Sequence, residues 1–296
     1  MTEQAGPGSI DHAFTGERRG GAGDPTYAGA LSFMRRRYGK DVAGCDLVIW
    51  GVPFDLAVTN RPGARFGPRA IREQTSLVAC YPWGIYPWDF NPFERCNVID
   101  YSDIAFTTAY PERMVTAVEH HVGSILAAGA SVLSLGGDHM VAYPLVKAYA
   151  QHHGPLSLVH FDAHSDTWGM GEDLNHGTWA YLATRHGHID PSRSIQLGMR
   201  SPNPETLGFE IVEADPLLTM SPAEAVERML HLRPAVAEEE RGHRRVRHRG
   251  QPGQRRCGPE PQRGDRTASS MRLNHYTVGD PVPEDEIGRA SCRERV

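Results

Sequence analysis

The chain is poor in lysine, has no paired set of cysteines and contains no long apolar run. The 296 residues include two lysines, Lys40 and Lys147, and 29 arginines, and the formal net charge is −5. The five cysteines are odd in number and lack metal-type spacing, which predicts reduced thiols and argues against a disulfide framework or a zinc site. No stretch reaches the length of a membrane span or has signal-peptide character, so we expect a cytoplasmic protein without membrane association.

Apolar strand-like runs alternate with helical patterns along much of the chain. Runs of the buried-strand type occur at residues 45–52, 131–135 and 156–161, and each ends in glycine or polar residues. Helical spacing extends over Tyr27 to Arg37 and recurs between the runs. This alternation predicts an α/β fold, with a mainly parallel sheet covered by helices on both faces. Ligands in such folds bind beyond the carboxyl ends of the strands.

The stretch from Val159 to Asp166 alternates apolar and polar side chains. As a strand, it would place its apolar side chains on one face and its histidines and aspartates on the other. The polar residues are His160, Asp162, His164 and Asp166. Alternate residues on a strand lie about 7 Å apart and metal–ligand bonds are about 2 Å long, so the pattern favours a pair of ions or a curled strand end. A solvated polar loop after a buried strand is the alternative.

A second polar cluster follows the run at residues 131–135. Two glycines permit a tight turn there, which would lift Asp138 and His139 to the carboxyl end of the strand. If this strand neighbours the one that precedes Asp162, His139 comes within reach of that carboxylate. The two clusters together therefore favour a metal site over two independent polar loops.

His176 precedes a helix predicted for residues 179–185. The partial positive charge of a helix N-terminus would lower the pKa of this imidazole and let it exchange protons near neutrality. The alternative is a cap or loop residue without a catalytic role. The assignment of His176 as a catalytic residue therefore depends on the rest of the cluster.

Two further segments leave alternatives open. Arg61, Arg65 and Arg69 either bind an anion or serve in loop ion pairs and subunit contacts, and the structural role is favoured.

Residues 81–95 are rich in aromatic side chains and proline. As a loop, they would pack over a pocket mouth, form an oligomer interface or simply pack on the domain.

Three motifs resemble the ureohydrolase family. They are Gly-Gly-Asp-His at 136–139, Asp-Ala-His-Ser-Asp at 162–166 and His-Gly-Thr at 176–178, in this order and spacing. The resemblance implies an arginase-like three-layer α/β/α fold with a mainly parallel sheet. It extends over residues 27–231, which we interpret as an incomplete catalytic domain after a polar leader at residues 1–26.

Two companion segments refine the resemblance. Gly-Val-Pro-Phe-Asp at 51–55 and Arg-Pro-Gly-Ala-Arg-Phe-Gly-Pro at 61–68 look most like the agmatinase branch. Guanidinobutyrases and proclavaminate amidinohydrolases share these segments and remain alternatives. The implied reaction hydrolyses a small cationic guanidino compound to urea and an amine, with agmatine and putrescine as the expected pair in polyamine biosynthesis. The family also implies a homo-oligomer, a trimer or hexamer.

The resemblance implies a site with two Mn²⁺ ions. His139 and Asp166 would bind the first ion, His164 would bind the second, and Asp162 would bridge both. His176 matches the family's proton-shuttling histidine. Mixed imidazole and carboxylate ligands suit Mn²⁺, and two ions supply a hydroxide nucleophile at neutral pH.

The sequence departs from the family at its third metal motif, an Asp-x-Asp pair. No two of the later aspartates are spaced two apart. They are Asp173, Asp190, Asp215, Asp265, Asp280 and Asp285. Two adjacent dications would then lack compensating carboxylates, so we expect this chain to bind at most one ion well and to have little activity. A catalytically inactive family member that serves as a binding or assembly subunit is the alternative.

Residues 232–296 differ in composition from the rest of the chain. Residues 241–266 consist largely of Arg, Gly, Pro and Gln, with Val246 as the one bulky aliphatic residue. Such a segment cannot bury enough apolar surface to fold, so we expect a disordered tail in place of the C-terminal strands. Its Arg bias, expected of GC-rich DNA translated out of frame, indicates a frameshifted or artefactual segment. Nucleic-acid binding is disfavoured because aromatics are not interleaved with the arginines.

Overall fold

The computed structural model describes residues 11–19, 24–79, 90–107, 109–169 and 173–231. The predicted tail at residues 232–296 lies outside these ranges. The strands are β1 Leu47–Val52, β2 Val98–Asp103, β3 Ser131–Gly136, β4 Val159–Phe161, β5 Ile195–Met199 and β6 Glu210–Glu213. The α-helices are α1 His12–Thr15, α2 Gly67–Val78, α3 Pro111–Ala127, α4 Ala142–His153, α5 Trp179–Arg185, α6 Ala214–Thr219 and α7 Pro222–His231.

The described strands form two three-stranded parallel sheets. Their orders are β2-β1-β3 and β4-β5-β6. Trp50 of β1 is aligned with Ser134 of β3, and its indole Nε1 donates to the Ser134 hydroxyl at 2.6 Å. Parallel neighbours need crossover connections, and helices α2, α3 and α5 lie in the connections from β1 to β2, β2 to β3 and β4 to β5. The predicted parallel α/β fold is therefore confirmed.

One large hydrophobic cluster reaches both sheets, and a smaller one lies at Ile195, Leu197 and Val212 of the second sheet. The largest buried cluster joins Trp50 and Val132 of the first sheet to Leu158, next to β4, and to Trp179 of α5. Trp50 and Trp179 are 0% and 1% exposed. Because burial of a large apolar side chain contributes roughly 1.5–3 kcal/mol, this cluster stabilises the association of the two sheets.

The prediction of a helix from Tyr27 to Arg37 is wrong. Only Phe33–Arg35 form a single 3₁₀ turn, and Met34 and Arg35 have φ angles of 49° and 54°. The segment is tied to loop carbonyls and to the sheet: the Arg35 guanidinium donates to the Pro25 carbonyl, and the Phe33 amide donates to Asp100 at 2.7 Å. These buried polar contacts override the helical spacing.

Arg65 has the structural role that its sequence context favoured. Its Nε donates to Asp55 Oδ1 at 2.6 Å, while Asp55 Oδ2 accepts from the Gly63 amide at 2.6 Å. Burial alone would raise the pKa of Asp55, but these hydrogen bonds hold it below its usual value. The aromatic segment lies mostly outside the described residues, although Arg95 stacks on Phe90 with its guanidinium carbon 4.0 Å from the ring centroid.

Cys45 and Cys96 carry free thiols. Among the helices of the described residues, none combines the length and apolar character needed to cross a bilayer.

Candidate metal centre

A glycine turn delivers His139 to the end of β3. A Cβ at Gly137 would lie 1.7 Å from the Phe54 carbonyl oxygen, so only glycine fits this close approach. The Asp138 amide donates to the same carbonyl at 2.7 Å, and the Asp138 carboxylate accepts from the Ala57 amide at 2.9 Å. These contacts fix the turn and place the His139 side chain, which is 9% exposed, over the carboxyl end of the sheet.

The second cluster forms a curled strand end. β4 stops at Phe161, and the chain then curls, which is one of the two arrangements that the alternating pattern favoured. The Asp162 amide still donates to the Leu197 carbonyl at 3.1 Å, but Asp162 Oδ1 accepts from the His164 amide at 3.0 Å and turns the chain. Asp166 has a φ of 50°, a left-handed conformation that is strained for a residue other than glycine.

The side chains of both clusters converge. His139 Nδ1 lies 2.6 Å from Asp166 Oδ2 and 3.2 Å from Asp162 Oδ2. His160 Nε2 lies 3.5 Å from Asp162 Oδ2, and Trp179 Nε1 donates to Asp166 Oδ2 at 2.6 Å. His139, His160, Asp162 and Asp166 each offer a donor atom within 4.8 Å of the others. A divalent cation would therefore find imidazole and carboxylate donors within reach of one position.

The electrostatics match a cation site. Burial alone would lower the pKa of His139, but the hydrogen bonds and charges of Asp162 and Asp166 raise it to about 9. Burial would also raise the pKa of Asp162, yet the neighbouring His139 and His160 hold it well below its usual value. His139 is then protonated at neutral pH and shares its charge with two carboxylates. A bound metal would take the place of that proton, so the residues present fit the ion.

The two remaining predicted site residues lie around this cluster. His164 Nδ1 is 3.4 Å from Asp162 Oδ1, and the His164 side chain is 56% exposed. His176 is half-buried, and its amide lies 3.4 Å from the Ala57 carbonyl as a donor. Because the Ala57 amide also bonds Asp138, this backbone links the His176 loop to the glycine turn. The metal-ligand and proton-shuttle roles of these residues remain predictions.

His160 is the member of the cluster to which the sequence assigned no role. It is 5% exposed, and the amide nitrogen of the fully buried Gln196 lies 3.1 Å from its Nδ1. The position of His160 on the polar side of the alternating pattern was the available signal. Its partner was not readable, because Gln196 lies on the next strand, 36 residues away.

Residues 45–237 match the Arginase family. The chain belongs to this family. The match confirms the resemblance drawn from the three motifs and agrees with the parallel α/β architecture.

Named relatives are agmatinases and a related amidinohydrolase. The chain is 47% identical over 193 residues to an agmatinase of Chromobacterium violaceum, covering 64% of this chain and 59% of that protein. A solved hypothetical agmatinase from Burkholderia thailandensis superposes with a TM-score of 0.71 at 43% identity, covering 75% of this chain and 71% of the other. Proclavaminate amidino hydrolase from Streptomyces clavuligerus gives 0.64 at 32% identity, with coverages of 70% and 71%. The chain spans about 60% of the length of the curated relatives that it matches.

Proposed function

We propose that the chain carries part of an amidino-hydrolase site, whose reaction converts a guanidino compound to urea and an amine. Agmatine is the proposed substrate and putrescine the proposed amine product. The observation that carries the proposal is the convergence of His139, Asp162 and Asp166 beyond the ends of β3 and β4. The 47% identity to an agmatinase supports the choice of substrate.

Mn²⁺ is the proposed ion, held by His139, Asp162 and Asp166. Such an ion supplies Lewis acidity towards water and substrate at neutral pH. The chain's own residues provide the rest: Trp179 holds Asp166 through its indole Nε1, and burial of His139 excludes water from one side of the site. The His176 imidazole would carry a proton to the departing amine.

We further propose that the chain as printed binds one Mn²⁺ ion and has little activity, because its sequence supplies no Asp-x-Asp pair after Asp166. The test compares the printed chain with a chimera in which residues 232–296 are replaced by the corresponding part of the Chromobacterium violaceum agmatinase. Urea release is measured with agmatine, 4-guanidinobutyrate and arginine, and metal content by elemental analysis. We expect one ion and near-background urea release for the printed chain, and two ions with agmatine hydrolysis for the chimera.

The alternative outcomes separate the parts of the proposal. Ordinary agmatine hydrolysis by the printed chain would refute the incomplete-site hypothesis. A chimera that prefers 4-guanidinobutyrate would replace agmatine as the proposed substrate. Light scattering on the same samples tests the proposed trimer or hexamer.

A further inference from the structure

A buried pair of polar side chains lies behind Asp162. His160 of β4 and Gln196 of β5 are register partners in the second sheet, and they are 5% and 0% exposed. Gln196 Nε2 lies 2.7 Å from the Ser165 carbonyl oxygen and 3.1 Å from His160 Nδ1. His160 Nε2 faces Asp162 Oδ2 at 3.5 Å. These contacts connect the second strand of the sheet to a carboxylate of the candidate metal centre.

The Ser165 carbonyl decides the orientation of the Gln196 amide. A carbonyl oxygen can only accept, so the NH₂ group of Gln196 must face it, because the opposite orientation would place two acceptors 2.7 Å apart. The second hydrogen of that NH₂ group then points to His160 Nδ1. His160 Nδ1 must therefore accept a hydrogen bond.

The orientation of the amide sets the tautomer of His160. A neutral imidazole that accepts at Nδ1 carries its proton on Nε2. A protonated ring nitrogen cannot coordinate a metal, but it can donate to a carboxylate. Within the described part of the chain, His160 Nε2 is buried and makes no hydrogen bond, and the nearby acceptor is Asp162 Oδ2. A shift of roughly 0.5 Å would bring the two atoms into hydrogen-bond range.

We propose that His160 is a positioning residue, held in the Nε2–H tautomer by Gln196, that donates to Asp162 and directs this carboxylate towards the metal. The inference rests on the proposed metal centre and deepens it. It excludes the competing arrangement in which His160 is a fourth ligand beside His139, Asp162 and Asp166. Groups that orient metal-binding carboxylates and imidazoles typically change metal affinity by 10- to 100-fold when they are removed.

Two substitutions separate positioning from ligation. His160→Leu removes the donor, and we expect the Mn²⁺ dissociation constant, measured by calorimetry on the full chain, to rise by about 10- to 100-fold. His160→Gln places an amide NH₂ near the position of Nε2 and should restore most of the affinity. If His160 were a metal ligand, His160→Gln would bind Mn²⁺ about as weakly as His160→Leu, because an amide is a poor substitute for an imidazole ligand.

A matched control and a metal-free measurement complete the test. Ser194 is another fully buried polar residue beside β5; its hydroxyl accepts from the Leu158 amide at 2.9 Å and donates to the Asp190 carbonyl at 2.6 Å. Ser194→Ala should lower the thermal midpoint and leave Mn²⁺ affinity unchanged. Nitrogen-15 NMR of the metal-free chain should report the Nε2–H tautomer for His160 and a changed tautomer population in Gln196→Leu.

Each opposite result overturns the inference. The inference is wrong if NMR reports the Nδ1–H tautomer for His160 or if His160→Leu leaves the Mn²⁺ affinity unchanged. It is also wrong if His160→Gln binds Mn²⁺ as weakly as His160→Leu. A chain that binds no Mn²⁺ removes both the positioning role and the proposed metal centre. A chain that binds Mn²⁺ but, even with the C-terminal part of the Chromobacterium violaceum agmatinase, releases no urea would refute the proposed reaction and leave the role of His160 standing.

Discussion

Trp179 donates its indole Nε1–H to Asp166 Oδ2 at 2.6 Å, and the same oxygen lies 2.6 Å from His139 Nδ1. The first turn of α5 therefore supports a carboxylate that the loop holds in a left-handed conformation. This contact makes the packing of a core tryptophan part of the candidate metal centre.

Trp179→Phe should weaken both stability and metal binding. The ring is retained, but Asp166 loses a hydrogen bond of a type that contributes about 1.5–3 kcal/mol. We expect a similar loss in the free energy of unfolding, from urea titration, and about a tenfold weaker Mn²⁺ affinity. Trp50→Phe is the matched control, because Trp50 is equally buried and donates to Ser134 at 2.6 Å. If Trp50→Phe weakened Mn²⁺ binding as much as Trp179→Phe does, the weaker binding would follow from lost stability and not from the lost contact with Asp166.

His139 and His164 should respond differently to removal. His139 is buried between two carboxylates, whereas the His164 side chain is 56% exposed. In the printed chain, His139→Ala should abolish measurable Mn²⁺ binding, and His164→Ala should leave the affinity for one ion within about twofold. Calorimetry with Mn²⁺ checks both, with circular dichroism to show that each variant is folded. Loss of the single ion in His164→Ala would instead assign this histidine to that ion.

Arg72 of α2 forms a buried ion pair with the first sheet that should be costly to break. Its Nε and Nη2 reach the two oxygens of buried Asp100 at 2.8 and 3.0 Å, and its Nη1 reaches Asp103 at 2.5 Å. Arg72→Leu leaves a buried carboxylate unpaired, so the free energy of unfolding should fall by about 3–5 kcal/mol. Arg228→Leu breaks an exposed 3.7 Å contact with Glu210 and should cost under about 1 kcal/mol. Equal losses in urea titrations would contradict this ranking.

His121 should make stability fall on acidification. Burial lowers its pKa from the ordinary histidine value of 6.5, with added repulsion from His120 and Lys40, and its Nδ1 lies 3.0 Å from the Tyr101 hydroxyl. The unfolded chain therefore binds a proton at higher pH than the folded chain does, and stability is lost as the pH falls through 6.5. His121→Asn keeps an acceptor for Tyr101 without titrating. Between about pH 7.5 and 5.5, the unfolding midpoint of His121→Asn should fall less than that of the unchanged chain. Equal falls in the two midpoints would contradict a contribution of His121 to the pH dependence of stability.

The sequence predicted the elements whose cause is local. The helix predicted for residues 179–185 is observed with these bounds as α5, because apolar spacing and glycine or proline punctuation are local signals. The turn at Gly136 and Gly137 was readable for the same reason.

Features that depend on distant partners were not readable. The curl after Phe161 was one of the favoured arrangements, but one of its anchors was not readable: the Arg200 amide, just after β5, donates to the Ala163 carbonyl at 2.9 Å. The orientation of His160 needs Gln196 at its register position. The segment from Tyr27 to Arg37 has helical spacing, but its Phe33 amide donates to Asp100, 67 residues away. In each case a tertiary hydrogen bond helps to decide the local conformation.

The strand order β2-β1-β3 has a consequence for synthesis of the protein. β1 is central in its sheet but is made first, and its contact from Trp50 to Ser134 spans 84 residues. At a translation rate of about 5–20 residues per second, one edge of Leu-Val-Ile-Trp-Gly-Val stays unpaired for roughly 4 to 17 s. An uncharged apolar hexapeptide of this kind is prone to aggregate while exposed. β1 is therefore the segment that a chaperone on the ribosome would need to shield.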